Sequence, residues 1–134
     1  MKKPQTIKDW MITISLVTIG LVTALPVLAV VTPEQTLQVS YGVTITEPMS
    51  LTLVQHRGIF QLMLGIGIIM AAFYRSYRIP IAMTALITKG SFTFMVLTNS
   101  AIRDNWPTWV AVFDITSVII LCAVAGRELW RAKR

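Results

Sequence analysis

The chain alternates between four long apolar stretches and short polar connections. The first stretch, MITISLVTIGLVTALPVLAVV, contains no charged residue, and the other three are of similar length. A transmembrane helix needs about 20 consecutive, mainly apolar residues. The pattern therefore predicts four membrane-spanning helices, at about residues 10–31, 51–74, 80–98 and 107–126.

The connections between these stretches are too short to hold a further domain. The shortest, around YRSYR, makes the second and third spans antiparallel neighbours. We therefore predict an all-α fold, an integral membrane four-helix antiparallel bundle, as one domain over residues 1–134.

Two segments allow alternative interpretations. In the longest connection, residues 32–50, TPEQ has the form of a capping box and favours a short surface helix, whereas alternating apolar residues from Leu37 to Ile45 favour a strand. The first span, with Lys2, Lys3 and Pro26 around its apolar run, also has features of a cleavable signal peptide. We favour an uncleaved span because the apolar run is long for a signal.

Charge sets the orientation of the predicted spans. Only 13% of the residues are charged, against about 25% in soluble domains. Basic residues at cytoplasmic span ends orient membrane proteins, so both termini are predicted to be cytoplasmic, with the protein in the bacterial inner membrane. Arg103 alone lies in an outer connection. Nine of the 12 Lys and Arg residues flank the predicted cytoplasmic ends: Lys2, Lys3, Lys8, Arg75, Arg78, Arg127, Arg131, Lys133 and Arg134.

This distribution of charge also bears on binding partners. The net charge of +6 lies at span ends, where it favours anionic lipid headgroups, and it does not indicate nucleic-acid binding. We expect the partners to be membrane lipids and either another membrane protein or further copies of this chain.

Three charged residues fall inside the apolar stretches: Arg57, Lys89 and Asp114. A charge at the centre of a membrane helix costs about 2.5–3.5 kcal/mol on insertion scales, so it normally faces protein or water and has a partner. At about 1.5 Å per helical residue, the three lie at depths of about 9 Å, 13 Å and 10 Å from the outer surface. Antiparallel packing would bring them together as a charge cluster.

Two neighbours extend the predicted cluster. Gln61 shares a helix stripe with Arg57, and His56 lies about 100° away, where it could reach the rim or another subunit. Two cations and one anion leave a net charge of +1, which an acidic residue of the outer loop, a lipid headgroup, an anionic ligand or a partner could balance. Alternatively, burial makes Lys89 neutral. The cluster either fixes helix register alone, binds a small ligand or headgroup, or lines a proton or ion pathway.

The chain has one histidine and one cysteine, Cys122. These cannot form an internal disulfide or a metal site of the usual kind, so we predict no metal, no cofactor and no catalytic residues. Cys122 is expected to be a small buried hydrophobe.

The layout resembles small four-helix bacterial integral membrane proteins of uncharacterised function, DoxX-like in the broad sense. The resemblance is carried by VQHRG at the start of the second span with the following LGIG, by TKGSF in the third span, and by VFD in the fourth. It implies a fold and no activity.

We therefore expect a non-enzymatic accessory or interaction subunit that binds lipid or a partner membrane protein. One alternative is a small transporter or channel that uses Arg57, Lys89 and Asp114. A second alternative is a membrane enzyme acting on a lipid or quinone, with His56 as the base.

Overall fold

The computed structural model describes residues 7–133, apart from the side chain of Lys8. This part of the chain is helical and contains no β-strand. Lys2, Lys3 and Arg134, on which the charge argument partly depends, lie outside the described residues. The α-helices are α1 (Ile7–Ala24), α2 (Pro33–Tyr41), α3 (Pro48–Phe73), α4 (Arg78–Thr98), α5 (Ser100–Arg103) and α6 (Thr108–Ala132), with 3-10 segments at Leu25–Val30 and Arg75–Tyr77.

Four helical segments are long and apolar enough to cross a membrane, as predicted: Asp9–Val30, Pro48–Phe73, Arg75–Thr98 and Thr108–Ala132. Helix α3 begins before residue 51 because Glu47 caps it, accepting hydrogen bonds from the backbone N–H groups of Met49 and Ser50. A hydrogen bond from the Ser50 side chain, together with these two backbone hydrogen bonds, holds the pKa of the Glu47 carboxyl below its ordinary value.

The long connection contains a helix, which decides between the two interpretations of residues 32–50. Pro33 occupies the first turn of α2, a position where its missing N–H costs nothing. The helix ends at Gly42, whose φ of 66° is the left-handed conformation that glycine tolerates best. Leu37 on α2 is buried, so this helix packs over one end of the four long helices.

Helices α1 and α3 pack closely because glycines let their backbones approach. A Cβ atom placed on Gly65 would lie 2.5 Å from the carbonyl oxygen of Gly20 on α1. One placed on Gly58 would lie 2.5 Å from the carbonyl oxygen of Pro26, in the 3-10 segment that follows α1. Small residues at such crossings are typical of membrane helices. Helix α4 packs mainly on α6, while α1 and α6 touch only slightly. The core cluster consists of Leu16, Ile19, Ile68, Ala72, Ala82, Ala85, Leu121, Val124 and Ala125.

Ion pairs join the helices where the α3–α4 turn meets the start of α1 and the end of α6, a region called here the turn end. The Arg78 guanidinium donates to the Ala71 and Ala72 carbonyls at the end of α3 and pairs with Glu128 at 3.1 Å. Arg127 pairs with Asp9 at 3.0 Å. Because the opposite ends of the helices lie beside α2, we call that region the α2 end.

Cys122 departs from expectation. The sequence predicts a small buried hydrophobe, but the residue is exposed on α6, next to the buried Leu121. The helix period turns the Asp114, Ser117 and Leu121 stripe inward and leaves Cys122 on the outer face.

Candidate functional site

Lys89 and Asp114 form a buried ion pair between α4 and α6. The Lys89 Nζ atom donates to Asp114 Oδ1 at 2.9 Å, and each side chain is at most 10% exposed. The ammonium also lies 4.8 Å from the centre of the Phe113 ring. The two residues sit on buried stripes with Ala85 and Ser117, so the pair is directed into the bundle.

Arg57 lies beside this pair but has aromatic rather than acidic neighbours. Its guanidinium carbon is 4.6 Å from the Phe92 ring centre and 5.3 Å from that of Tyr41, distances at which a cation is attracted by an aromatic face. Arg57 forms no ion pair with any acidic side chain in residues 7–133. Its positive charge is therefore not balanced by a carboxylate of the described chain.

Tyr41 brings α2 into contact with α3 and α4. Its ring lies 6.1 Å from that of Phe92, edge to face, and its phenol is close to Arg57. Burial raises the pKa of the Tyr41 phenol above its ordinary value, while the neighbouring Arg57 charge acts in the opposite direction. The hydroxyl therefore stays neutral near pH 7.

A cavity of about 500 Å³ lies at the α2 end, within the range of about 300–1,000 Å³ typical of ligand pockets. Arg57, Gln61, Lys89 and Asp114 line it together, so four of the five predicted site residues face one space. The remaining walls are mainly apolar and come from the Leu25–Val30 segment, α2, α4 and α6.

The cavity is open to the surface, and several of its apolar lining residues are more than half exposed. They come from four elements: Leu25 and Leu28 from the 3-10 segment, Val39 from α2, Met95 from α4 and Trp109 from α6. The Asp9–Arg127 pair joins α1 to α6 at the turn end, whereas the cavity lies at the α2 end.

A second cavity, of about 550 Å³, adjoins the first at Arg57. It lies under α2 and the loop that carries α5, and it is lined by Gly42, Asn105 and Trp106 among others. Arg57, Tyr41 and Phe92 line both cavities and so separate them. Trp106 Nε1 is buried and has no hydrogen-bond acceptor in the described part of the chain.

His56 is the one predicted site residue that does not line either cavity. It is exposed, and its ring lies edge-on to Phe60 at 4.7 Å on the same helix. The 100° offset from Arg57 explains this position. His56 is therefore far less suited than Arg57 or Lys89 to contact a molecule in the cavity.

Sequence reasoning missed several residues that matter here. Nothing in the sequence indicates that Tyr41 and Phe92 lie beside Arg57, because that contact depends on how α2 packs against α3 and α4. Glu128 is not among the predicted site residues, yet its side chain is 5% exposed and pairs with Arg75 and Arg78. A lone acid among basic residues was the signal that could have identified it.

The residues of the site offer anion binding and hydrogen bonding. Within residues 7–133, no group of three or more His, Cys, Asp or Glu side chains is arranged to hold a metal ion. Comparison with family models, with curated proteins and with solved structures found no match to this chain. The resemblance to DoxX-like proteins therefore stays a prediction.

Proposed function

We propose that this protein is a non-enzymatic membrane protein that binds a lipid-like molecule in the cavity at its α2 end and serves as an accessory or interaction subunit. The observation that carries this proposal is a mainly apolar cavity of about 500 Å³ that is open to the surface and is lined by the buried Lys89–Asp114 pair and the exposed Arg57. An alkyl chain fits the apolar walls, and a polar headgroup fits beside the charged residues.

The proposal includes an antiparallel four-helix bundle with both termini in the cytoplasm. Two contacts between α1 and α3 support the antiparallel arrangement: the Thr13 hydroxyl donates to the Ala72 carbonyl, and Gly20 lies against Gly65. The earlier residue of α1 thus contacts the later residue of α3, as in antiparallel helices. The basic residues Arg75, Arg127 and Arg131 lie at the turn end, which favours its cytoplasmic location. The cavity then opens toward the outer leaflet.

The Lys89–Asp114 ion pair favours a binding site over a proton or ion pathway. The two side chains are held together at 2.9 Å, so the pair joins α4 to α6 and fixes one wall of the cavity. No nucleophile with an adjacent base lines the cavity in the described residues, which favours binding over catalysis.

A blocked cavity tests the proposal. Ser91 lines the cavity and is exposed, so Ser91→Trp would place an indole in it. Thr84→Trp is the matched control, because Thr84 lies on the same helix, is exposed, and does not line the cavity. Both side chains replaced are small hydroxyls bonded to their own helix.

The readout is native mass spectrometry of protein released from mild neutral detergent. We expect the wild type and Thr84→Trp to retain bound lipid and Ser91→Trp to lose it. Equal lipid retention by all three proteins would refute the proposal.

A further inference from the structure

We infer that the occupant of this cavity is an acidic amphiphile, a molecule with an anionic headgroup and an alkyl chain, whose headgroup binds at Arg57 between the two cavities. This inference rests on the proposed function and narrows it to one chemical class of ligand. The ligands of this class have in common an anionic headgroup, either a carboxylate or a phosphate, joined to an alkyl chain.

The first argument is charge. Lys89 and Asp114 neutralise each other at 2.9 Å, which leaves Arg57 as the net charge of the cavity. None of the acidic side chains in the described residues pairs with it. Arg57 is exposed, so a headgroup can reach its guanidinium, and an arginine fork binds carboxylate or phosphate with two parallel hydrogen bonds.

The second argument is a further donor that has no acceptor. Trp106 Nε1–H is buried without a hydrogen-bond partner, and its ring lies 6.2 Å from Phe92, the residue that Arg57 covers. An unsatisfied buried donor is costly. Because Trp106 and Arg57 line the same second cavity, a headgroup oxygen there lies within the space that both donors border.

The third argument is the room that the cavity offers to an alkyl chain. The walls of the first cavity are mainly apolar, and four of its apolar lining residues are exposed: Leu28, Val39, Met95 and Trp109. Such exposed apolar side chains are where the long helices would meet acyl chains. A headgroup at Arg57 with its chain in the first cavity therefore uses both the charge and the apolar walls.

The test compares ligands that share a chain and differ in headgroup: laurate, dodecyl phosphate and dodecanol. Binding is measured in neutral detergent by the rise in Tm with ligand concentration, since a ligand that binds only the folded state stabilises it. We expect both anions to bind the wild type about tenfold or more tightly than dodecanol, the range for one charge-assisted contact. Their relative affinities identify the preferred anion.

Three variants locate the effect. Arg57→Gln should reduce anion affinity about tenfold and leave dodecanol binding unchanged, whereas Arg103→Gln, which removes a solvated charge at the same end, should change neither. Trp106→Phe should weaken anion binding alone. If Arg57→Gln does not fold, the headgroup preference of the wild type and its loss in Trp106→Phe decide the question.

The outcomes separate the two proposals. Equal binding of dodecanol and the anions, weakened alike by Ser91→Trp, would overturn the anionic headgroup and retain the lipid-binding cavity. Binding that is indifferent to Ser91→Trp would overturn both. A preference for anions that persists in Arg57→Gln would place the headgroup elsewhere and overturn this inference.

Discussion

Lys89 Nζ lies 2.9 Å from Asp114 Oδ1, and this buried pair joins α4 to α6. Removing one partner of such a pair strands the other charge, which typically costs about 3–5 kcal/mol. We therefore expect Asp114→Leu to lower the Tm in detergent strongly. The double variant Lys89→Met/Asp114→Leu should recover much of the loss, because no charge is then left unpaired. Equal losses in the single and double variants would show that the two residues are not energetically coupled.

Glu128 gives a second prediction, at the turn end. Its carboxylate accepts from Arg78 at 3.1 Å and Arg75 at 2.7 Å, and Arg78 in turn holds the last carbonyls of α3. Glu128→Gln should destabilise the protein by roughly 3 kcal/mol, because the buried Arg78 loses its counter-charge. Asp104→Asn is the matched control: its pair with Arg103 is exposed, so a change below about 1 kcal/mol is expected. Denaturation in detergent of both variants checks this, and equal effects would contradict the burial argument.

The glycine crossing of α1 and α3 gives a third prediction. A Cβ on Gly65 would meet the Gly20 carbonyl at 2.5 Å, so Gly65→Ala must push α1 away and lower the Tm. At Gly90 nothing lies within 4 Å of such an atom. Gly90→Ala should therefore be neutral or stabilising, by up to about 1 kcal/mol from helix propensity. A Gly65→Ala protein as stable as the wild type would show that the helices are not in this close contact.

Orientation gives a fourth prediction, checked by labelling cysteines with a membrane-impermeant maleimide. In a Cys122→Ala background, Ser100→Cys lies at the α2 end and Ser76→Cys at the turn end, and both positions are exposed. We expect intact bacterial cells to label Ser100→Cys and to label Ser76→Cys only after lysis. The reverse pattern would invert the topology and direct the cavity toward the cytoplasmic leaflet.

Much of the helical architecture follows from the sequence, because long apolar runs have few alternatives in a membrane. The depth of a residue in the membrane is equally predictable from its position along a helix, and this reasoning places Lys89 and Asp114 at similar depths. Helix rotation is not predictable in this way, so the sequence left open whether Asp114 would pair with Lys89 or Arg57. Local pattern also could not decide the fold of residues 32–50, and therefore could not bring Tyr41 to Arg57.

Cys122 and Glu128 show that the residues next to a position in the sequence do not decide whether its side chain is buried: Cys122 is exposed and Glu128 is buried. An apolar neighbourhood suggested burial for Cys122, but in a membrane helix the outward face is apolar as well. The basic residues around Glu128 in the sequence give no sign of burial, yet Arg75 and Arg78 pair with it and its side chain is 5% exposed. In both cases the packing partners, rather than the local composition, decide burial.

The most direct test of a lipid-binding cavity is photolabelling with a fatty acid that carries a diazirine near the end of its chain, followed by mass spectrometry of the labelled peptides. Val39 and Met95 line the cavity and are 66% and 64% exposed, while Met63 and Ile119 lie outside it and are 63% and 62% exposed. Exposure alone would label the four residues alike. We predict labelling concentrated on Val39 and Met95 and competed away by unlabelled laurate; uniform labelling of all four, unaffected by laurate, would contradict the account.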